Sequence, residues 1–328
     1  MKRRKSFEKF DYTLRPAKNV ERKMIGETFA RLSGIAPLVE YRYVGLGAIA
    51  FADFILFHQR LGISDMVSME EKVEERHRVC FNRPYSCIKI KWGTASEVLP
   101  KLSWTKRAIV WLDYDEPLTS SVLSDISTVV ASIRTGSAII VTVDVQDRVR
   151  RGPDMAQARM KKLRKRVDEV RIPQGTTGTR LGGWGLARVC RDIIDNQIAE
   201  ALADRNAPLL ADRNAPPDED EVLAYKQLFN FQYADKARML TVGGYIANPQ
   251  DRNQVSPSDF EDLDFIRFGK DPYLIEVPVL TRREAALLNK LLPQSAPLVP
   301  RPEWLPARDR KNYGKVYRHY PTYLEAEI

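Results

Sequence analysis

The chain has 328 residues, 44% of them apolar and 9% aromatic, enough to bury a full core in one large domain or two smaller ones. Its 52 Lys and Arg against 43 Asp and Glu leave a formal charge of +9, which favours anionic partners. Three cysteines without a CxxC pair, and only three histidines, argue against a structural zinc site and for a reduced, cytoplasmic setting, and no apolar run is long enough for a membrane span.

The opening residues are basic, with no apolar stretch of a secretion signal behind them. Residues 19–32 carry Val20, Met24, Ile25, Phe29 and Leu32 at helical spacing behind Asn19, a candidate N-cap. Arg15, Lys18, Arg22 and Lys23 surround that helix start. They fit an anion site or a clamp onto the domain's own acids, and the clamp is the preferred reading. "EYRYVGLG" follows as a strand entering a glycine turn, and "AIAFADFILFHQRLGI" as a buried helix. "DMVSMEE" reads as a short strand ending in acid, "VEERHRVCFN" as a helix, and "SCIKIKWGTASEVLPKL" as strand, turn and helix. "RAIVWLDYD" is the next strand, "SSVLSDISTVVASIRTGSA" a helix, and "AIIVTVDV" another strand. Strands alternating with helices, several apolar on both faces, predict a doubly wound, Rossmann-like α/β fold with a mostly parallel sheet.

Past Val145 the rhythm changes. The basic run that begins at Arg148 and ends at Arg171 reads in its later part as a helix with a basic face. That face is either solvated or a phosphate-binding surface for a nucleotide or nucleic acid. Residues 176–185, "TTGTRLGGWG", suit a lid or a linker and lead into a helix. "ADRNAP" then occurs twice, which reads as a loop lengthened by local duplication. "KQLFNFQYADKARMLTVGGYI" predicts a hairpin around "ADKA". "YLIEVPVLTRREAALLNKLLP" predicts a strand and then a helix capped by Thr281, with Glu284 three residues on. The remaining tail, rich in Pro, Arg and Tyr, is expected to lie over the surface without a core of its own. The predicted organisation is a basic segment and helix over 1–34, a cofactor-binding core over 35–145 and a helical, substrate-capping insertion over 146–224. Closing strands and a last helix over 225–293 and the tail over 294–328 complete it.

In open α/β sheets ligands bind beyond the carboxyl ends of the strands. Gly45 and Gly47 lie at the first such end, without the lysine of a Walker A loop or the third glycine of a dinucleotide fingerprint. About twenty residues on, Glu70 stands where a carboxylate accepts from ribose hydroxyls. At the fourth end, "AIVWLDYDEPL" runs straight into Asp113, Asp115 and Glu116. Like charges that close need a metal ion, a cationic ligand or a solvated turn. In an extended strand Asp113 and Asp115 share one side and Tyr114 takes the other. His58, His77 and His319 have no nucleophile motif near them, so a catalytic triad is not expected.

This order of parts resembles the class I S-adenosylmethionine-dependent methyltransferases over residues 43–145, and the later hairpin is similar to the strands that close their sheet. "LRPAKNVERKMI", "VWLDYD" and "MLTVGG" extend the resemblance to a group of bacterial proteins described as O-methyltransferases, with no substrate attached. The resemblance implies a seven-stranded sheet with an antiparallel closing strand, and S-adenosylmethionine as cofactor. It implies that Gly45 and Gly47 border the methionine part, Glu70 the ribose, Thr94 and Ala95 the adenine, and that Asp113 orients substrate or the cofactor's ammonium. Tyr43 stands where those enzymes have an acid, and Ile49 where they have a third glycine. "DYDEP" lacks the [DN]PP[YF] motif of amino-methylating DNA enzymes and is closer to cation-dependent O-methyltransferases. In that version Asp113, Asp115 and Asp144 converge on Mg²⁺ as catalytic metal ligands. Two further readings are a methyltransferase-fold binding protein without catalysis and a metal-assisted Rossmann-like enzyme using another nucleotide.

Overall fold

The computed structural model describes residues 15–150, 152–211, 222–293 and 302–321. The first half alternates strand and helix: α1 (Pro16–Ala30), β1 (Arg42–Leu46), α2 (Ala52–Leu61), β2 (Asp65–Glu70), α3 (Arg76–Asn82), β3 (Ile88–Trp92), α4 (Ala95–Val98), β4 (Ala108–Pro117), α5 (Ser120–Ser132) and β5 (Ser137–Asp144). The second half holds α6 (Met155–Arg166), α7 (Gly185–Ala211), β6 (Ala224–Ala234), β7 (Arg238–Ala247), α8 (Pro249–Gln254), β8 (Tyr273–Ile275), α9 (Arg282–Asn289) and α10 (Ala307–Val316).

One sheet runs in the order β3-β2-β1-β4-β5-β7-β6-β8, with β7 antiparallel to both its neighbours. The sheet therefore has eight strands where seven were expected; the eighth is the short β8, added parallel to the outer edge of β6. The order reverses beside β1, so the carboxyl ends of β1, β2, β4 and β5 meet at one edge, as the crevice rule requires.

The pleat sorts β4 between two cores. Ile109 and Trp111 join α1 and α2 on one face, while Ala108, Val110 and Leu112 join α5 and α7 on the other. Helix α7 brings Ala187, Cys190, Ile193, Ile194 and Ile198 to that second core. Helix α7, about a third of the segment expected as a substrate cap, 146–224, is thus a covering layer of the sheet itself, because its apolar residues repeat at helical spacing. The first "ADRNAP" copy, expected as loop, lies within α7, and Asn206 exchanges two hydrogen bonds with the Leu223 backbone at 2.9 and 3.2 Å. The second copy falls largely outside the described residues, as do the basic residues 1–14 and parts of the tail.

Helix α1 starts earlier than its Asn19 cap predicted. Pro16 takes the first helical position, and the amides of Ala17 and Lys18 donate to the Asp235 carboxylate at 2.9 and 3.1 Å. The tail has more core than expected. Tyr313 and Leu305 pack with Leu288 of α9, and Val316 enters the main core beside α1. The hairpin turn at Asp235–Ala237 and the Thr281–Glu284 capping box form as the sequence indicates.

Candidate functional site

The turn from β1 into α2 is shaped by internal contacts. Gly45 has no room for a side chain because Tyr43, two residues back on the same face, lays its hydroxyl 2.8 Å from where a Cβ would sit. That hydroxyl donates to Asp53 in the first turn of α2. Burial pushes the Tyr43 hydroxyl's pKa up, and the Asp53 carboxylate pushes it further. Burial also raises Asp53, with the Arg22 guanidinium opposing it. The acid missing from the end of β1 is thus delivered from the next helix. Sequence reasoning overlooked Asp53; the spacing of a strand Tyr and an acid one residue past a helix start was the available signal. Phe51, at the start of α2, holds a left-handed φ of 46° although it is not glycine, and its complete burial fixes that conformation.

Gly47 meets a second acid. A Cβ there would lie 1.7 Å from Glu70 Oε1 and 2.0 Å from the Ser68 hydroxyl, so only glycine lets the β2 carboxylate fold over the β1 turn. Ser68 donates to Oε1 at 2.8 Å, and Oε2 has no partner among the described residues. Burial lifts the Glu70 pKa to about 7, against the opposing pull of that hydrogen bond. Beyond β3, the Thr94 amide and hydroxyl both donate to Glu97 at 2.8 and 3.1 Å. Both Thr94 donors are thus engaged within the capping box, at the turn where the resemblance puts the adenine. Ala95 is buried beside it.

The carboxylates of "DYDEP" are compensated from within. Lys18 of α1, 1% exposed, reaches Asp113 at 2.7 Å and Glu21 at 2.8 Å, with its ammonium 4.5 Å from the centroid of Trp111. Arg15 stands 3.6 Å from Asp115. The clamp reading of this segment is the one the geometry shows. Burial resists ionisation of Asp113, but Lys18, with Arg22 and Arg15 behind it, outweighs that and holds its carboxyl below the usual range. A buried polar path continues inward: Thr241 donates to Glu21, Thr142 and Thr241 share a hydrogen bond of 2.8 Å, and the Trp111 indole donates to Thr142 at 3.0 Å. On the opposite face the Tyr114 hydroxyl and the Ser96 hydroxyl both donate to Asp125 at 2.6 Å.

Asp144 is 4% exposed and accepts from the Gln146 amide at 2.7 Å and from the Arg148 guanidinium. Asp113, Asp115 and Asp144 therefore each face their own cation, and among the described residues no group of three His, Cys, Asp or Glu is placed to hold a metal. The Mg²⁺ expectation is not supported: an ion at Asp113 would have to displace Lys18, a buried cation already in contact.

A sheet of this order with an antiparallel strand between β5 and β6, a glycine turn after β1 and an acid closing β2 defines a class I S-adenosylmethionine-dependent methyltransferase fold. The chain belongs to the family described as "Putative O-methyltransferase", which matches residues 10–328. Among solved structures it is similar to Trm1 from Pyrococcus horikoshii with S-adenosyl-L-methionine, at 10% identity over 69% of this chain and 56% of that one, TM-score 0.40. It is also similar to cofactor-bound Rv0187 from MTB, at 13% identity over 73% and 91%, TM-score 0.35. Both likenesses are faint, and the chain spans little more than half of the first protein. No curated protein matches. No helix among the described residues is long and apolar enough to cross a membrane.

Proposed function

We propose that the protein transfers a methyl group from S-adenosylmethionine to an oxygen of a small-molecule or nucleotide acceptor, in a reduced cytoplasmic setting. The observation that carries the reading is Glu70, whose buried carboxylate lies against Gly47 at the end of β2 with Oε2 open to a donor. That is the position and chemistry a ribose requires. When bound, the cofactor supplies an electrophilic methyl group on a sulfonium. In this chain Glu70 would accept from its ribose, the turn through Gly45 and Gly47 would border its methionine part, and Ala95 would offer an apolar contact to its adenine. Asp113, held ionised by Lys18, and Asp115, paired with Arg15, orient the acceptor hydroxyl by accepting its hydrogen bond and attract its proton. An oxygen acceptor is supported by the family description and by the absence of the amino-methylating motif from "DYDEP". Three cysteines that form no disulfide support the setting.

Calorimetric titration with S-adenosylmethionine and S-adenosylhomocysteine tests the cofactor. Glu70→Ala should weaken binding by about 1–3 kcal/mol, the range for a hydrogen bond to a charged group. Unchanged affinity in a folded variant would place the ribose elsewhere. A binding protein without catalysis is the second reading, favoured by the seating of Lys18 on Asp113. Methyl turnover separates the two.

A further inference from the structure

Directly after β5 the chain enters a cleft between the loop Gln146–Val149 and the basic face of α6. Four cations line it: Arg148, Arg159, Lys162 and Arg166. Two carboxylates answer them. Asp144 takes Arg148, and Asp147 takes the fork of Arg159 at 2.6 and 2.8 Å. Among the described residues Lys162 donates to the Arg148 carbonyl, at 3.0 Å. Arg166 is half-buried, and among the described residues its guanidinium meets no carboxylate, although its own helix supplies Arg164 to Glu169 at 2.8 Å. The floor is apolar, with Leu163 and Leu181 almost completely buried.

Two positive charges thus stand in excess over an apolar floor, the half-buried Arg166 beside it and the exposed Lys162 at its rim. A guanidinium fork beside an ammonium suits a dianionic phosphate, which takes bidentate bonds from the first and a point charge from the second. A carboxylate would balance only half of the excess. The cleft opens at the end of β5, next to β4, where Pro117 pairs with Asp144.

We propose that Arg166 and Lys162 bind a phosphate group of the methyl acceptor in this cleft. The word acceptor rests on the methyl-transfer reading; the anion site rests on its own lining. The test is calorimetric titration, at low salt, of the full chain with ribose 5-phosphate and with ribose, and anisotropy titration with a labelled single-stranded oligonucleotide. Arg166→Gln and Lys162→Gln are compared with Arg164→Gln, which removes the same charge from the exposed side of the helix. The expected result is binding of a phosphate-bearing probe but not of ribose, weakened about 10-fold or more by Arg166→Gln, as for one hydrogen bond to a charged partner. Lys162→Gln should weaken it less and Arg164→Gln by under about 2-fold, the scale of an exposed charge. Binding of ribose 5-phosphate assigns the site to small phosphorylated acceptors. Binding of the oligonucleotide alone, falling steeply with salt, assigns it to a nucleic-acid backbone. No binding of either probe, or equal losses in Arg164→Gln and Arg166→Gln, overturns the proposal. S-adenosylhomocysteine affinity, measured on the same samples, should be unchanged in all three variants and reports that they are folded. If the wild type binds phosphate but not S-adenosylhomocysteine, the methyl-transfer reading falls and the anion site stands.

Discussion

Glu70 and Asp113 respond to acid in opposite directions. The native state holds the Glu70 proton more tightly than the unfolded chain, whose value is 4.5, because burial lifts the folded value to about 7. Stability from this group is therefore full below pH 4.5 and is lost as pH rises toward 7. Glu70→Gln should be more stable than wild type at pH 8 and lose that advantage at pH 4; a pH-independent difference in urea midpoint would contradict the assignment. S-adenosylhomocysteine affinity should rise through pH 7, as the carboxylate becomes a pure acceptor. Asp113 is depressed instead, so its contribution is present above its unfolded 3.8 and lost as pH falls through its lower folded value. Lys18→Met strands Glu21 and Asp113 in the interior and should destabilise by about 3–5 kcal/mol in urea unfolding. Asp113→Asn leaves Lys18 its bond to Glu21, so it should lose less stability than Lys18→Met while losing methyl turnover.

Elements differ in how far local chemistry fixes them. The alternation in β4 is readable because its period of two sends Trp111 and Leu112 to different cores, and the hairpin because "ADKA" interrupts two apolar runs. The start of α1 is not readable, since its cap is Asp235, 218 positions away from Ala17. Asp235→Ala should cost about 1–2 kcal/mol in urea unfolding, as for loss of a helix cap. The same logic covers the glycine turn. Gly45 and Gly47 invite a ligand-centred explanation, yet the first clears Tyr43 and the second clears Glu70, contacts that only tertiary structure supplies. Gly47→Ala would drive a methyl group into the Glu70 carboxylate, and calorimetry should show S-adenosylhomocysteine affinity falling at least as far as in Glu70→Ala. Asp53 escaped notice for a related reason, because its partner lies on another element.

Across the whole molecule, the fold class is legible from the rhythm of apolar runs, whereas the pairing of the acids is not, because cations from distant segments satisfy them. Helix α1 is where those segments meet. Its Lys18 serves β4, its first amides serve the β6–β7 turn, Glu27 takes Arg318 and His319 at 2.6 Å, and Lys23 reaches the carbonyls of His319 and Tyr320. The helix is thus closed over by residues made about 290 positions later. At synthesis rates of about 5–20 residues per second, α1 spends roughly 15–60 s on the ribosome without its clasp. Its apolar stripe is open to chaperones for that interval, and so many distant contacts make its docking a late, slow step of folding.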